Sequence, residues 1–195
     1  MNKAVSIYKK IKNYNSKIIV DGDKSISIRS VMLASWGIGK SKITNLPDSE
    51  DVKSTINCLK KLGVQINKKK KYCEIFGNGI NSFVYKKGIV LNAGNSGTCA
   101  RLILGLLIAS NKTIKLVGDK SLSKRDFLRV IDPLKKFGAN FYPKNKSKLP
   151  LYISGSDFLS PISYHEKKGS AQCKSCVMLA ALNTDGKTLI KAKKS

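Results

Sequence analysis

Acidic side chains are scarce in this sequence: Asp and Glu number 12 against 37 Lys and Arg, for a formal charge of +25 at pH 7. Such a balance invites a nucleic-acid partner, because lysines that neutralise phosphates gain affinity by releasing counterions. Aromatic residues, however, make up only 7% of the 195 residues and are not interleaved with the basic ones, so the stacking platform of a single-strand binder is missing. The lysines spread along the whole chain among asparagines and isoleucines, and tracts such as 68–71 and 191–194 read as solvated surface. No nucleic-acid partner is expected. Long apolar runs are also lacking. The longest, 102–109, falls far short of the roughly 20 residues of a membrane-spanning helix. The opening MNKAVSIYKKIKNYNSK has no apolar block of the kind a signal peptide carries. No membrane partner and a cytoplasmic location are expected. The cysteines are five, odd in number and widely scattered, which argues against a disulfide framework and for reduced thiols. Cys173 and Cys176 form a C-x-x-C, but with no second pair they read as core thiols and not as a zinc site. The single histidine, His165, has no visible triad partner and reads as a surface or loop residue.

Arginine is the rarest cation and therefore the informative one. Only Arg29, Arg101, Arg125 and Arg129 occur. A guanidinium offers a fixed fork matched to carboxylate and phosphate, which a lysine in the same place does not. Three of the four sit in or beside glycine- and serine-rich phrases. Gly22-Asp23-Lys24-Ser25-Ile26-Ser27-Ile28-Arg29 nearly returns as Gly118-Asp119-Lys120-Ser121-Leu122-Ser123-Lys124-Arg125, and Leu59-Lys60-Lys61-Leu62-Gly63 returns as Leu134-Lys135-Lys136-Phe137-Gly138. Paired phrases in the same order signal an internal structural repeat, although the two separations are unequal.

The periodicities describe a unit of strand, helix, strand, helix, strand, strand. Its first copy has a strand over 17–20, a helix over 25–36, a strand over 42–46, a helix capped by Asp48 and ending at Gly63, and paired strands over 64–66 and 72–76. The second has a strand over 89–91, a helix over 98–110, a strand over 113–117, a helix from Arg125 to Phe137 and a strand over 140–142. The third starts with strands over 151–153 and 162–164, a helix over 171–182 and a strand over 187–192. It then stops, so the chain reads as the first part of something longer. Three loop-to-helix junctions carry the polar chemistry: Gly22 to Ser25, Asn92 to Thr98 with Arg101 one turn on, and Gly169 to Gln172. Free backbone N–H groups at helix N-termini attract anions. Each junction alone could be only a capped helix. Three in repeated units would meet on one face if the units close around an axis, bringing Lys24, Arg29 and Arg125 together there.

The phrases GDKSISIR, NLPDSEDV, LKKLGV, NAGNSGTCAR, GDKSLSKR and GSAQCKS, in this order, resemble the 5-enolpyruvylshikimate-3-phosphate synthase family from about Lys17 onward. The resemblance implies an α/β (α+β) fold of repeated βαββαβ units in pseudo-threefold arrangement with inward-packed helices, one domain of a two-domain enolpyruvyl transferase. Residues 1–20 would belong to the other domain and 21–195 to this substrate-binding one, truncated at its end. It implies transfer of the enolpyruvyl group of phosphoenolpyruvate to the 5-hydroxyl of shikimate 3-phosphate, by acid–base chemistry with no metal or cofactor. Lys24 would be catalytic and contact both substrates. Ser25, Arg29, Ser170 and Gln172 would hold shikimate 3-phosphate. Asn95, Ser96, Gly97, Arg125 and Gln172 would hold phosphoenolpyruvate. The full-length protein would be a monomer, and the catalytic carboxylates would lie outside this chain. Asp21 stands where the family usually has proline, Ile28 where it usually has histidine, and Ala171 removes one hydroxyl. A related transferase acting on UDP-N-acetylglucosamine is the nearest alternative, and it typically differs at Asp23 and Ser25.

Overall fold

The computed structural model describes residues 20–69, 72–167 and 169–192, so the strand expected over 17–20 lies outside them except for Val20. Three successive blocks build the fold. The first runs through helix α1 (Lys24–Trp36), strand β1 (Ile38–Thr44), helix α2 (Glu50–Lys61), β2 (Gln65–Lys68) and β3 (Tyr72–Asn78). Its sheet is antiparallel in the order β1-β3-β2. The second holds β4 (Val90–Asn92), α3 (Gly97–Leu106), β5 (Ile114–Val117), α4 (Leu128–Phe137), β6 (Asn140–Tyr142) and β7 (Leu151–Ser154). Here the order is β4-β5-β7-β6, with β4 and β5 parallel and the other pairs antiparallel. The third consists of β8 (Ser163–Glu166), α5 (Ala171–Ala181) and β9 (Leu189–Ala192), with β8 parallel to β9.

The blocks are repeats. Strands β1, β2 and β3 pair as β5, β6 and β7 do; α1, α3 and α5 are equivalent first helices, and α2 and α4 equivalent second ones. The helices meet inside. All ten residues of α3 are buried, as its nearly unbroken apolar sequence requires. It packs against α1, α2, α4 and, most extensively, α5. Close approach to α5 depends on Gly105, where an added Cβ would collide with the Cys176 carbonyl oxygen. Helices α2 and α4 are amphipathic: Val52, Ile56 and Leu59, and Val130, Ile131, Leu134 and Phe137, face the core, and lysines face out. Each of these buried side chains contributes about 1.5–3 kcal/mol relative to exposure.

The strand expected over 151–153 to open the third block is β7, which pairs with β5 and β6 in the second, and the strand expected over 42–46 is β1, Ile38–Thr44. Four further expectations need correction. The phrase LKKLG and its partner LKKFG do occupy equivalent places, closing α2 and α4 with Gly63 at φ +90° and Gly138 at φ +116°. The two GDKS phrases do not. The first opens α1, the first helix of its block, whereas the second follows β5 and precedes α4, a second helix. Their likeness is local chemistry: Asp23 accepts the Ile26 N–H at 2.6 Å and Asp119 the Leu122 N–H at 2.7 Å. That is why the two phrase pairs are unequally spaced. Second, α4 begins at Leu128 and not at Arg125, because Arg125 is extended (φ −76°, ψ 147°) and separates the helix from a short 3-10 turn over residues 122–124. Third, α2 is capped by Ser49, not Asp48, whose carboxylate pairs with Lys53 at 3.3 Å and Lys68 at 2.9 Å. Fourth, α3 stops at Leu106 because the chain tightens there, Leu107 N–H donating to Leu104 and Ser110 to Leu107.

Candidate anion-binding site

Each first helix starts from a short polar residue whose side chain takes the N–H three positions on. Asp23 does so for α1, Ser96 for α3 (Cys99 N–H, 3.2 Å) and Ser170 for α5 (Cys173 N–H, 3.3 Å). The Ser96 and Ser170 hydroxyls are thus occupied as caps, and backbone N–H groups of the first turns remain as anion donors. Gly94 at φ +56° and Gly169 at φ +69° shape the loops that lead into α3 and α5.

Side-chain contacts connect these helices near their starts. From the first turn of α1, Lys24 Nζ reaches Asp51 Oδ2 in the first turn of α2 at 3.4 Å. Arg29, one turn on, donates from Nε and Nη2 to Ser175 Oγ on α5 at 3.1 and 3.0 Å and from Nη1 to the Ser25 carbonyl at 3.0 Å. Three of its five N–H donors are engaged and two are left. On α3, Arg101 Nη1 donates to Gln172 Oε1 on α5 at 2.7 Å, and Gln172 Nε2 donates to Thr98 Oγ1 at 3.0 Å. The Arg101 guanidinium also stacks over the Phe127 ring, just before α4, at 5.2 Å. Arg125 Nη2 donates to Asn95 Oδ1 at 3.3 Å, and Asn95 Nδ2 donates to Asp119 Oδ2 at 2.6 Å. A Cβ at Gly97 would lie 2.9 Å from Arg101 Nη1 and 3.1 Å from Arg125 Nη1, so both forks stand over the start of α3.

The electrostatics follow from that crowding. Burial, then the charges of Arg129 and Arg125, pull the Arg101 pKa below its usual value. Asp119 is held below the ordinary carboxylate range, first by the Leu122 N–H and also by Asn95 and Arg125. Cys99 in the first turn of α3 is pushed well up, chiefly by its bond to the Cys58 thiol and by burial, with a smaller share from Asp51. All five cysteines are free and buried, and His165 is exposed on β8. Among the described residues no group of three metal-ligating side chains occurs, and no helix is long and apolar enough to cross a membrane.

Of the expected site residues, Asn95, Ser96, Gly97, Arg125, Ser170 and Gln172 gather around the starts of α3 and α5, and Ser25 and Arg29 join them through Ser175. Lys24 reaches Asp51 at the start of α2 instead. Arg29 and Arg125 are not equivalent in the repeat: one lies inside a first helix, the other ahead of a second. Five participants were missed. Asp51, an acid in the first turn of α2, is a carboxylate 3.4 Å from Lys24, which no sequence spacing marks. Arg101 was noticed without a role, Thr98 and Ser175 act across helices, and Asp119 was legible as the partner of Asp23 in the repeated phrase.

Helix N-termini with lysine and arginine beside them, on a fold of repeated units with helices inside, make an arrangement whose chemistry suits small anions. Two solved structures of EPSP synthase from Acinetobacter baumannii share that fold, each at TM-score 0.86 and 34% identity over 92% of this chain and 41% of theirs. The family model for EPSP synthase (3-phosphoshikimate 1-carboxyvinyltransferase) matches residues 8–195, and the chain belongs to that family. Similar relatives bearing the name 3-phosphoshikimate 1-carboxyvinyltransferase come from Ruthia magnifica (46% identical over 173 residues), Paramagnetospirillum magneticum (41% over 172) and Oenococcus oeni (40% over 182). Those alignments cover 88%, 88% and 93% of this chain but 39%, 38% and 41% of the relatives, so the chain spans about two fifths of their length.

Proposed function

We propose that this chain forms one wall of an enolpyruvyl transferase that moves the enolpyruvyl group of phosphoenolpyruvate to the 5-hydroxyl of shikimate 3-phosphate and releases phosphate. The observations that support the reading are the Arg29 contact from α1 to α5, the Arg101 contact from α3 to Gln172 on α5, Arg125 beside Gly97, and Lys24 beside Asp51. Both substrates carry a phosphate and a carboxylate, which backbone N–H groups and guanidinium forks are suited to bind. In this reading Lys24, Ser25, Arg29, Ser170 and Gln172 hold shikimate 3-phosphate. Asn95, Ser96, Gly97, Arg125, Lys24 and Gln172 hold phosphoenolpyruvate, with Asn95 fixed by Asp119. Lys24 stabilises charge as the hydroxyl adds to the enol carbon and phosphate departs. The protonating and deprotonating carboxylates of the whole enzyme belong, in this proposal, to the part of the relatives that the chain does not span.

The same proposal extends to architecture. Residues 21–195 make the substrate-binding domain and 1–20 belong to a second domain. Helices α2 and α4 fill the grooves α1–α3 and α3–α5. The equivalent groove between α5 and α1, about 200 Å³ and lined by Leu33, Met178 and Leu182, supports a further helix there in the whole enzyme. The enzyme would act as a cytoplasmic monomer with no nucleic-acid or membrane partner and need neither metal nor cofactor. Calorimetric titration of the chain with shikimate 3-phosphate, then with phosphoenolpyruvate, tests the reading. Saturable binding that weakens with added phosphate is expected, without phosphate release when both substrates are present. A folded chain that binds neither substrate refutes it.

A further inference from the structure

Arg101 is an arginine in an expensive position. It is 4% exposed, its Nε–H is buried with no acceptor, and among the described residues no carboxylate pairs with it. Arg125 and Arg129 add like charge nearby and burial opposes its ionised form. A buried donor without a partner costs stability, so packing alone does not account for the side chain. What it does make is a 2.7 Å bond to Gln172 Oε1 and a stack on Phe127 at 5.2 Å.

We infer that Arg101 is a positioning residue that fixes which end of the Gln172 amide faces the ligand, and so makes Gln172 a hydrogen-bond donor to it. The inference rests on the proposed site but uses a separate argument. A guanidinium has only donors, so the atom of Gln172 that meets it has to be the carbonyl oxygen. The amide nitrogen is thereby turned toward Thr98 Oγ1, which accepts one of its two N–H groups at 3.0 Å, and Thr98 is itself 6% exposed in the first turn of α3. One N–H remains, on a half-buried side chain in the first turn of α5 beside Ser170. With the amide reversed, Gln172 would present a carbonyl oxygen to the anion site and repel its occupant. Arg101 and Thr98 together thus specify an acceptor oxygen on the ligand, such as a phosphate or hydroxyl oxygen.

The test uses the full chain with the Gln172 side-chain amide followed by 1H–15N NMR, assigned through Gln172→Ala. Without ligand, the Gln172 pair is expected to be resolved from the bulk glutamine signals and slow to exchange. Arg101→Met should return it to the bulk position while the dispersed backbone spectrum persists. Arg101→Lys, which again offers only donors, should restore most of the shift. Shikimate 3-phosphate should bind at least tenfold more weakly to Arg101→Met, with partial recovery in Arg101→Lys. Gln172→Glu keeps an acceptor for Arg101 but presents a carboxylate, and should keep the fold while losing the ligand. Should Arg101→Met fail to fold, Thr98→Val, which removes the nitrogen's acceptor and leaves Arg101 in place, is expected to broaden the same pair. An unchanged Gln172 signal in folded Arg101→Met, or in Thr98→Val where that variant decides, overturns the inference. So does wild-type affinity in Gln172→Glu. A wild type that binds no shikimate 3-phosphate refutes the proposed function instead, and the ligand-free signal still decides the role of Arg101.

Discussion

Gly97→Ala is the smallest change that reaches both guanidinium forks over α3. The added methyl would stand 2.9 Å from Arg101 Nη1, 3.1 Å from Arg125 Nη1 and 3.8 Å from Leu122 Cδ1. The two arginines differ in how they can give way. Arg125 is exposed and can swing at the loss of its 3.3 Å bond to Asn95, a cost of about 1 kcal/mol. Arg101 is buried and can move only by stretching its 2.7 Å bond to Gln172, a charge-assisted bond of about 1.5–3 kcal/mol, or by leaving the Phe127 face. Overpacking of a filled site costs about 1–3 kcal/mol in general, and the buried arginine places this case within that range. Urea unfolding should therefore report a loss of about 1–3 kcal/mol. Titration should report weaker binding of phosphoenolpyruvate, by about tenfold for each 1.4 kcal/mol by which the anion's contacts are displaced. A variant within about 0.5 kcal/mol of the parent that binds phosphoenolpyruvate as well as the parent would show that the two forks do not converge above Gly97.

Further tests are independent of that one. Arg29→Lys removes a fork that bonds both Ser175 and the Ser25 carbonyl, so shikimate 3-phosphate binding should weaken by about 1–3 kcal/mol, and an unchanged Kd takes Arg29 out of the site. Gly105→Ala drives a methyl into the Cys176 carbonyl, a backbone group that cannot turn aside. A stability loss of at least about 1 kcal/mol is expected in thermal or urea unfolding, and parity with the parent would refute the close α3–α5 crossing. Asp119 has a folded pKa depressed below its ordinary 3.8, so its contribution is present above that value and is lost as pH falls through the lower folded value. The Asn95 side-chain NMR signals should therefore titrate with a midpoint below Asp119's ordinary 3.8. A midpoint near pH 5 would contradict the Asp119–Asn95 contact.

The legible part of this fold was its repetition and the glycines that close its second helices. Alternating apolar runs placed every helix, and the closing glycines Gly63 and Gly138 marked truly equivalent ends. The GDKS phrases misled because a short run of Asp, Lys and Ser caps any helical turn, whether α1 or the 3-10 turn after β5, and says nothing of its place in a block. The later start of α4 is hidden for another reason: the extended backbone at Arg125 leaves the apolar spacing that follows it unchanged. In the site, residues at helix starts were readable from loop chemistry. The contacts of Arg29 with Ser175, Arg101 with Gln172 and Lys24 with Asp51 join separate helices, and only tertiary packing reveals them.

The central claim is that three helix starts form one anion site, and backbone 1H–15N NMR of the chain titrated with shikimate 3-phosphate tests it most directly. The account predicts saturable shifts that share a single Kd at Ser25 to Arg29, at Ser96 to Arg101 and at Ser170 to Ser175, with little change in β2, β6 or their neighbours. Shifts confined to one of the three helix starts, or centred on the scattered surface lysines, would contradict it.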